Sequence, residues 1–213
     1  MSSSRKFSDR IDAGEQLGAA VDDHELDADI VLAVPRGGLP VGRAVADALG
    51  VPLDIVVASK IGAPGNPEYA IGAVASDGTV WRNEQGVGRR VDEDYFERER
   101  EKEREIARHK AETYRGERSA PDLAGKTVVV VDDGVATGST VRACLRMLEA
   151  AETERVVLAV PVGPPTTIRE LETLADEVIC LEQPRRFSGV GQFYRRFGQV
   201  TDEEAMAFLE AES

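Results

Sequence analysis

Two adjacent carboxylates, Asp132 and Asp133, follow the apolar run Val128-Val129-Val130-Val131 and precede a stretch of small residues, Gly134-Val135-Ala136-Thr137-Gly138-Ser139-Thr140. A side-by-side carboxylate pair suits the vicinal hydroxyls of a ribose, because each ionised oxygen is a strong hydrogen-bond acceptor. Gly134 and Gly138 let the backbone approach a ligand, and Thr137, Ser139 and Thr140 add hydroxyl donors. A helix starting at the end of such a loop points its first N–H groups at an anion. Two common phosphate loops are excluded: no Gly-Lys-Ser/Thr follows the small-residue loop, and the Gly-x-Gly-x-x-Gly spacing is missing from it.

A second apolar run, Val31 to Val34, feeds Pro35-Arg36-Gly37-Gly38-Leu39-Pro40. Exposed N–H groups and one cation suit a phosphate or pyrophosphate, and Arg36, Gly37 and Gly38 supply both. Lys60 follows a third run, Leu53 to Ala58, at the kind of strand end where open α/β sheets place ligand groups. Beyond it, Ile61 to Tyr69 is rich in Gly and Pro and reads as a loop long enough to act as a lid.

The Asp132-Asp133 segment resembles the signature of the type I phosphoribosyltransferases, in which four apolar residues precede two acidic ones and a loop ending Thr-Gly-x-Thr. The resemblance covers roughly Ile30 to Pro161. It implies binding of phosphoribosyl pyrophosphate, with Asp132 and Asp133 on the ribose hydroxyls, residues 134–140 around the phosphate, and Arg36, Gly37, Gly38 and Lys60 toward the pyrophosphate. It implies Mg²⁺, with Asp132 and Asp133 as indirect metal partners through substrate or water, and transfer of the phosphoribosyl group to a nitrogen acceptor such as a nucleobase. Arg36, Lys60, Asp132 and Asp133 are the expected catalytic set. The 6-oxopurine branch carries an acidic residue just before the Thr-Gly; here that position is Ala136, as in the adenine-type loop. A regulator that binds phosphoribosyl pyrophosphate with little catalysis is the alternative, and a hydrolase or phosphorolysis activity a third.

The expected fold is α/β: a doubly wound, mainly parallel sheet with a small hood or flexible-loop elaboration. Strands are expected at Ile30 to Val34, Leu53 to Ala58, Thr127 to Val131, Arg155 to Val160 and Val178 to Leu181, continuously apolar as strands covered on both faces should be. Helices are expected at Leu39 to Leu49, Thr140 to Ala150 and Thr166 to Ala175, with a closing helix from Thr201 to Ala211 capped by Thr201 or Asp202. Ala70 to Ala75 and Thr79 to Arg82 read as a hairpin around Asp77-Gly78. Asp92 to Arg118 reads as a solvated helix laced by i,i+4 ion pairs, or as a helix at a dimer contact or beside the lid. The chain is expected to form one domain, with its core at about 28–182 and a C-terminal hood or tail at about 183–213. Within that tail, Pro184 to Phe197 combines cations and aromatics, suiting the acceptor side of the site, a dimer interface or core packing.

The 213 residues carry a net charge of −13, which argues against an extended nucleic-acid surface. Arginine outnumbers lysine 21 to 5, and with the acidic excess this resembles proteins from high-salt cytoplasm. No stretch approaches the roughly 18 to 20 apolar residues needed to span a bilayer, and Met1 to Lys6 lacks the apolar core of a signal peptide, so a cytoplasmic protein is expected. Cys144 and Cys180 read as small buried hydrophobes. A homodimer is expected from the resemblance.

Overall fold

The computed structural model describes residues 7–83, 88–116 and 118–211. Met1 to Lys6, on which the expectation about a signal peptide rests, lies outside them. Five strands, β1 (Ile30–Ala33), β2 (Leu53–Ile55), β6 (Thr127–Val131), β7 (Arg155–Val162) and β8 (Glu177–Glu182), form a parallel sheet in the order β2-β1-β6-β7-β8. Its centre is the pairing of Ile30 to Ala33 with Val128 to Val131, residue for residue.

Helices cover both faces, which is why the central strands are apolar throughout. Val31, Ala33, Val129, Val131, Val157 and Ala159 point toward α1 (Arg10–Asp22), α2 (Gly38–Leu49), α3 (Glu93–Arg115) and α6 (Asp202–Glu210). Ile30, Leu32, Val128, Val130, Leu158 and Val160 point the other way, toward α4 (Ser139–Ala150) and α5 (Pro165–Leu171). The sheet is therefore doubly wound, as expected. Chain order reverses between β1 and β6: α2 leads from β1 to one side, and α4 leads from β6 to the other. The crevice at the carboxyl ends of these two strands is where sheets of this kind bind ligands.

Two of the expected segments need correction. The run Leu53 to Ala58 is split: β2 ends at Ile55, and the chain then leaves the parallel sheet and starts β3 (Ala58–Ala63) of a separate antiparallel sheet with β4 (Asn66–Ala75) and β5 (Val80–Arg82). Ile61 to Tyr69 is accordingly not an irregular loop. It is most of a bulged hairpin turning at Pro64-Gly65, with Gly65 at φ +74°. Gly62 is needed because a Cβ there would stand 2.8 Å from Pro67 Cα, so Gly and Pro mark a tight crossing of two strands. The hairpin around Asp77-Gly78 forms as expected, with Trp81 opposite Ala73, and the Thr79 N–H donates to Asp77 Oδ1 at 2.8 Å.

Helix α1 was not expected. Gly14 and Gly18 interrupt its pattern, and each glycine inside a helix costs about 1 kcal/mol relative to alanine. Packing offsets that cost: a Cβ on Gly14 would lie 2.8 Å from Ala44 Cβ, and one on Gly18 2.8 Å from Ala48 Cβ. The two glycines let α1 lie directly on α2.

The charged segment forms α3, burying only Phe96, Ala107, Ala111 and Tyr114. Its ion pairs are mostly spaced i,i+3 rather than i,i+4, for example Glu97 with Arg100 and Glu105 with Arg108. The helix also packs on the hairpin, where the Tyr95 hydroxyl donates to Gly62 O at 3.1 Å. Cys144 is fully buried, whereas Cys180 is half-buried. Among the described residues, no helix is long and apolar enough to cross a membrane.

Candidate active site

The carboxyl ends of β1 and β6 bring the two sequence-predicted loops into contact. After β6 the chain runs irregularly from Asp132 to Gly138, where α4 begins at Ser139. Gly134 has φ +149° and Gly138 φ +72°, both disfavoured for other residues. A Cβ on Gly134 would also meet Val190 Cγ1 at 2.7 Å, and one on Gly138 would meet Thr167 Cγ2 at 2.9 Å. The loop is held from behind, where the Val135 N–H donates to Val162 O at 2.9 Å and the Thr167 hydroxyl donates to Ala136 O at 2.8 Å. Ala136 and Thr137 are left exposed, with Thr137 Oγ1 3.2 Å from Ser139 Oγ. Thr140 is exposed in the first turn of α4.

The Arg36-Gly37-Gly38 turn lies against the carboxylate pair. A Cβ on Gly38 would stand 3.1 Å from Asp132 Cα, and one on Gly37 would stand 2.9 Å from Asp133 Cγ. The Pro35–Arg36 peptide bond is cis. Arg36 itself reaches outward, with Nη1 3.3 Å from Asp202 Oδ1 at the start of α6, and the same oxygen accepts from the Tyr114 hydroxyl at 2.7 Å. Lys60 sits in β3 opposite Ala73 rather than in a loop. It lines a polar cavity of about 460 Å³ together with Pro35 and Thr140, so it still faces the two loops. Lys102 and Lys110 of α3 line the same cavity.

The carboxylates are strongly influenced by their surroundings. Burial, and then the charge of Asp133, push the Asp132 carboxyl well above the ordinary aspartate range, although Asp132 Oδ1 accepts the Asp133 N–H at 2.8 Å. Burial also raises Asp133, opposed by the Arg10 guanidinium, whose Nε donates to Asp133 Oδ2 at 2.8 Å. Hard oxygen donors of this kind suit Mg²⁺, which usually keeps waters and substrate oxygens in its coordination sphere. Among the described residues there is no cluster of three or more His, Cys, Asp or Glu able to hold a metal alone. The adjacent Asp132 and Asp133 carboxylates thus offer oxygen donors of the type such an ion takes.

Sequence reasoning missed Arg10, Tyr114 and Asp202 as neighbours of the site; nothing local in the sequence marks them. Tyr194 lay in the aromatic segment singled out above, and its hydroxyl donates to Asp133 O at 2.6 Å. That segment is partly core: Phe193 and Tyr194 are buried with Phe7 and Val162, Phe187 stacks on Phe193 at 5.6 Å, and Phe197 remains exposed.

A doubly wound sheet with a glycine turn and an acidic loop meeting at its switch point defines an open α/β protein whose loops converge where such sheets commonly take ligands. The model of the phosphoribosyl transferase domain matches residues 10–195. The chain belongs to this family. Rv0571c of Mycobacterium tuberculosis H37Rv, provisionally named a phosphoribosyl transferase, is 41% identical over 205 residues, which are 96% of this chain and 46% of that protein. The matching protein of strain CDC 1551, MT0597, gives the same figures. This chain thus spans about half the length of the curated relatives it matches. Among solved structures, TT1426 of Thermus thermophilus is 43% identical, covers 96% of this chain and 97% of its own, and superposes with a TM-score of 0.89.

Proposed function

We propose that the chain transfers a 5-phosphoribosyl group from phosphoribosyl pyrophosphate to a nitrogen acceptor, with release of pyrophosphate. The observation that carries this reading is the contact of Gly37 and Gly38 with Asp133 and Asp132 at the sheet's switch point. That contact supports a reading in which pyrophosphate binds beside the ribose hydroxyls, as the bond to be broken requires.

In this reading Asp132 and Asp133 accept hydrogen bonds from the ribose hydroxyls, and the backbone N–H groups of residues 134–140, with the hydroxyls of Thr137, Ser139 and Thr140, hold the 5-phosphate. Arg36, Lys60 and the N–H groups of Gly37 and Gly38 take the charge that grows on the departing pyrophosphate. Asp132 and Asp133 would hold Mg²⁺ indirectly, through substrate or water, and the ion would supply further charge neutralisation to the leaving group. The anomeric carbon gains oxocarbenium character as the C–O bond breaks, and the acceptor nitrogen forms the new bond at that carbon. Ala136 provides no carboxylate to the acceptor, so the chain's contribution is positioning and electrostatics rather than proton abstraction at that residue. In this reading the chain acts as one catalytic unit whose hood is the part of the 183–213 tail before α6, since α6 itself packs on the sheet, and the family resemblance supports a homodimer, which sedimentation measures directly.

Titration calorimetry with phosphoribosyl pyrophosphate and Mg²⁺, followed by a pyrophosphate-release screen across nucleobases, tests the proposal. Binding together with release for one acceptor is expected. Binding without release for any nitrogen acceptor would replace the transferase by a regulator, and a folded sample that binds nothing would defeat both.

A further inference from the structure

Asp133 stands in the irregular stretch after β6, with no strand pairing of its own to orient it. Its carboxylate is instead held by Arg10, which comes from the first turn of α1, 123 residues away in sequence. The Arg10 guanidinium uses three directions at once. Its Nε donates to Asp133 Oδ2 at 2.8 Å, its Nη1 donates to Gly198 O at 2.7 Å, and its face lies 3.9 Å from the centre of the Phe197 ring. A planar, delocalised cation can do all three, whereas an ammonium cannot. The side chain is only 12% exposed, so the arrangement is built in rather than a surface pairing.

The backbone of Asp133 is gripped from the same side. Tyr194, whose hydroxyl donates to Asp133 O, has ring contacts with both Phe7 at 5.4 Å and Phe197 at 4.9 Å. Phe7 and Tyr194 form a β-bridge, with Phe7 N–H donating to Phe193 O and Arg195 N–H to Phe7 O, each at 2.9 Å. Residues 7–10 and 193–198 thus make a clasp that closes behind one carboxylate.

We infer that Arg10 is a positioning residue of the site: through its contact with Asp133 it orients that carboxylate toward the ribose hydroxyls and couples it to the C-terminal segment. This rests on the transferase reading given above. A carboxylate offers about four lone-pair positions. Arg10 occupies one on Oδ2 and fixes where the others point.

The test separates ribose recognition from pyrophosphate recognition. Affinities for phosphoribosyl pyrophosphate, ribose 5-phosphate and pyrophosphate, each with Mg²⁺, are measured by calorimetry for the wild-type chain, Arg10→Gln, Asp133→Asn and the double variant. Arg10→Gln is expected to weaken both ribose-bearing ligands roughly tenfold or more while leaving pyrophosphate within about twofold, and to add little to the loss already caused by Asp133→Asn. Circular dichroism checks the fold. Should Arg10→Gln not fold, Arg10→Lys replaces it, with a loss of several-fold expected on the ribose-bearing ligands alone. Unchanged affinity for phosphoribosyl pyrophosphate, equal loss of pyrophosphate, or fully additive losses in the double variant would each overturn the role of Arg10 while leaving the transferase reading in place. A wild-type chain that binds neither phosphoribosyl pyrophosphate nor ribose 5-phosphate would remove the transferase reading, and this inference with it.

Discussion

Gly37 and Asp133 meet without space for a side chain between them: a Cβ on Gly37 would stand 2.9 Å from Asp133 Cγ and overlap its Oδ2. The backbone at Gly37 is helical, with φ −60° and ψ −32°, a conformation any residue adopts. Glycine is therefore required here by contact and not by conformation. Gly37→Ala should fold normally and lose affinity for phosphoribosyl pyrophosphate by about tenfold or more, because the carboxylate held by Arg10 has to move. Calorimetry beside a thermal melt checks this, and wild-type affinity would show that Asp133 does not contact the ligand.

Lys60 supplies a cation to the cavity next to Pro35 and Thr140. Lys60→Ala should weaken pyrophosphate by an amount of order 1–3 kcal/mol, as for other hydrogen bonds to charged groups, and reduce turnover at least as much. Its effect on ribose 5-phosphate should be small, since that ligand lacks the leaving group. An equal loss on both ligands would place Lys60 elsewhere in the site.

The raised Asp132 carboxyl has a stability consequence with a definite sign. A group whose folded pKa lies above its unfolded value of about 3.9 stabilises the fold below that pH and loses this contribution as pH rises through the folded value. By pH 8, far above the unfolded value, the raised and buried Asp132 carboxyl therefore counts against the fold. Asp132→Asn removes that cost and keeps an acceptor for the Asp133 N–H. Its melting temperature should exceed the wild type at pH 8 by roughly 2–4 °C per kcal/mol relieved, and the difference should shrink toward pH 4, while ligand binding is lost. Melts across this range decide it; a gap that widens on acidification would reverse the sign.

Arg115 at the end of α3 reaches the edge of the parallel sheet, donating from Nε to Asp54 Oδ1 at 2.9 Å and from Nη2 to Ile55 O at 3.0 Å, with both side chains less than 15% exposed. Removing one member of a buried pair leaves the other charge uncompensated. Arg115→Met should lower stability by about 3 kcal/mol and the melting temperature by roughly 6–12 °C. Adding Asp54→Asn should recover part of the loss. Denaturant titration of the single and double variants measures both.

Much of the fold was legible because its determinants are local. Runs such as Val128 to Val131 can only be strands covered on both faces, and Gly134 and Gly138 announce turns that the backbone confirms at positive φ. The closing helix follows the same logic: Thr201 caps it, accepting from the Glu204 N–H while Glu204 accepts from the Thr201 N–H. The run Leu53 to Ala58 misled because apolar residues in sequence do not say which sheet they join. The Gly- and Pro-rich stretch after it misled because the residues that suit a loop also suit a bulged hairpin.

The sequence by itself determined the class of sheet, the two loops after β1 and β6 and the family they resemble, since each is written in consecutive residues whose conformation and chemistry are local. Only the tertiary structure decided that Lys60 lies on a strand, that two glycines make α1 possible by fitting against α2, and that Arg10, Phe197 and Tyr194 close on Asp133. Those relationships join residues far apart in the chain. Their energy comes from packing and from charge brought together by folding, and neither has a periodicity or a motif that a linear sequence displays.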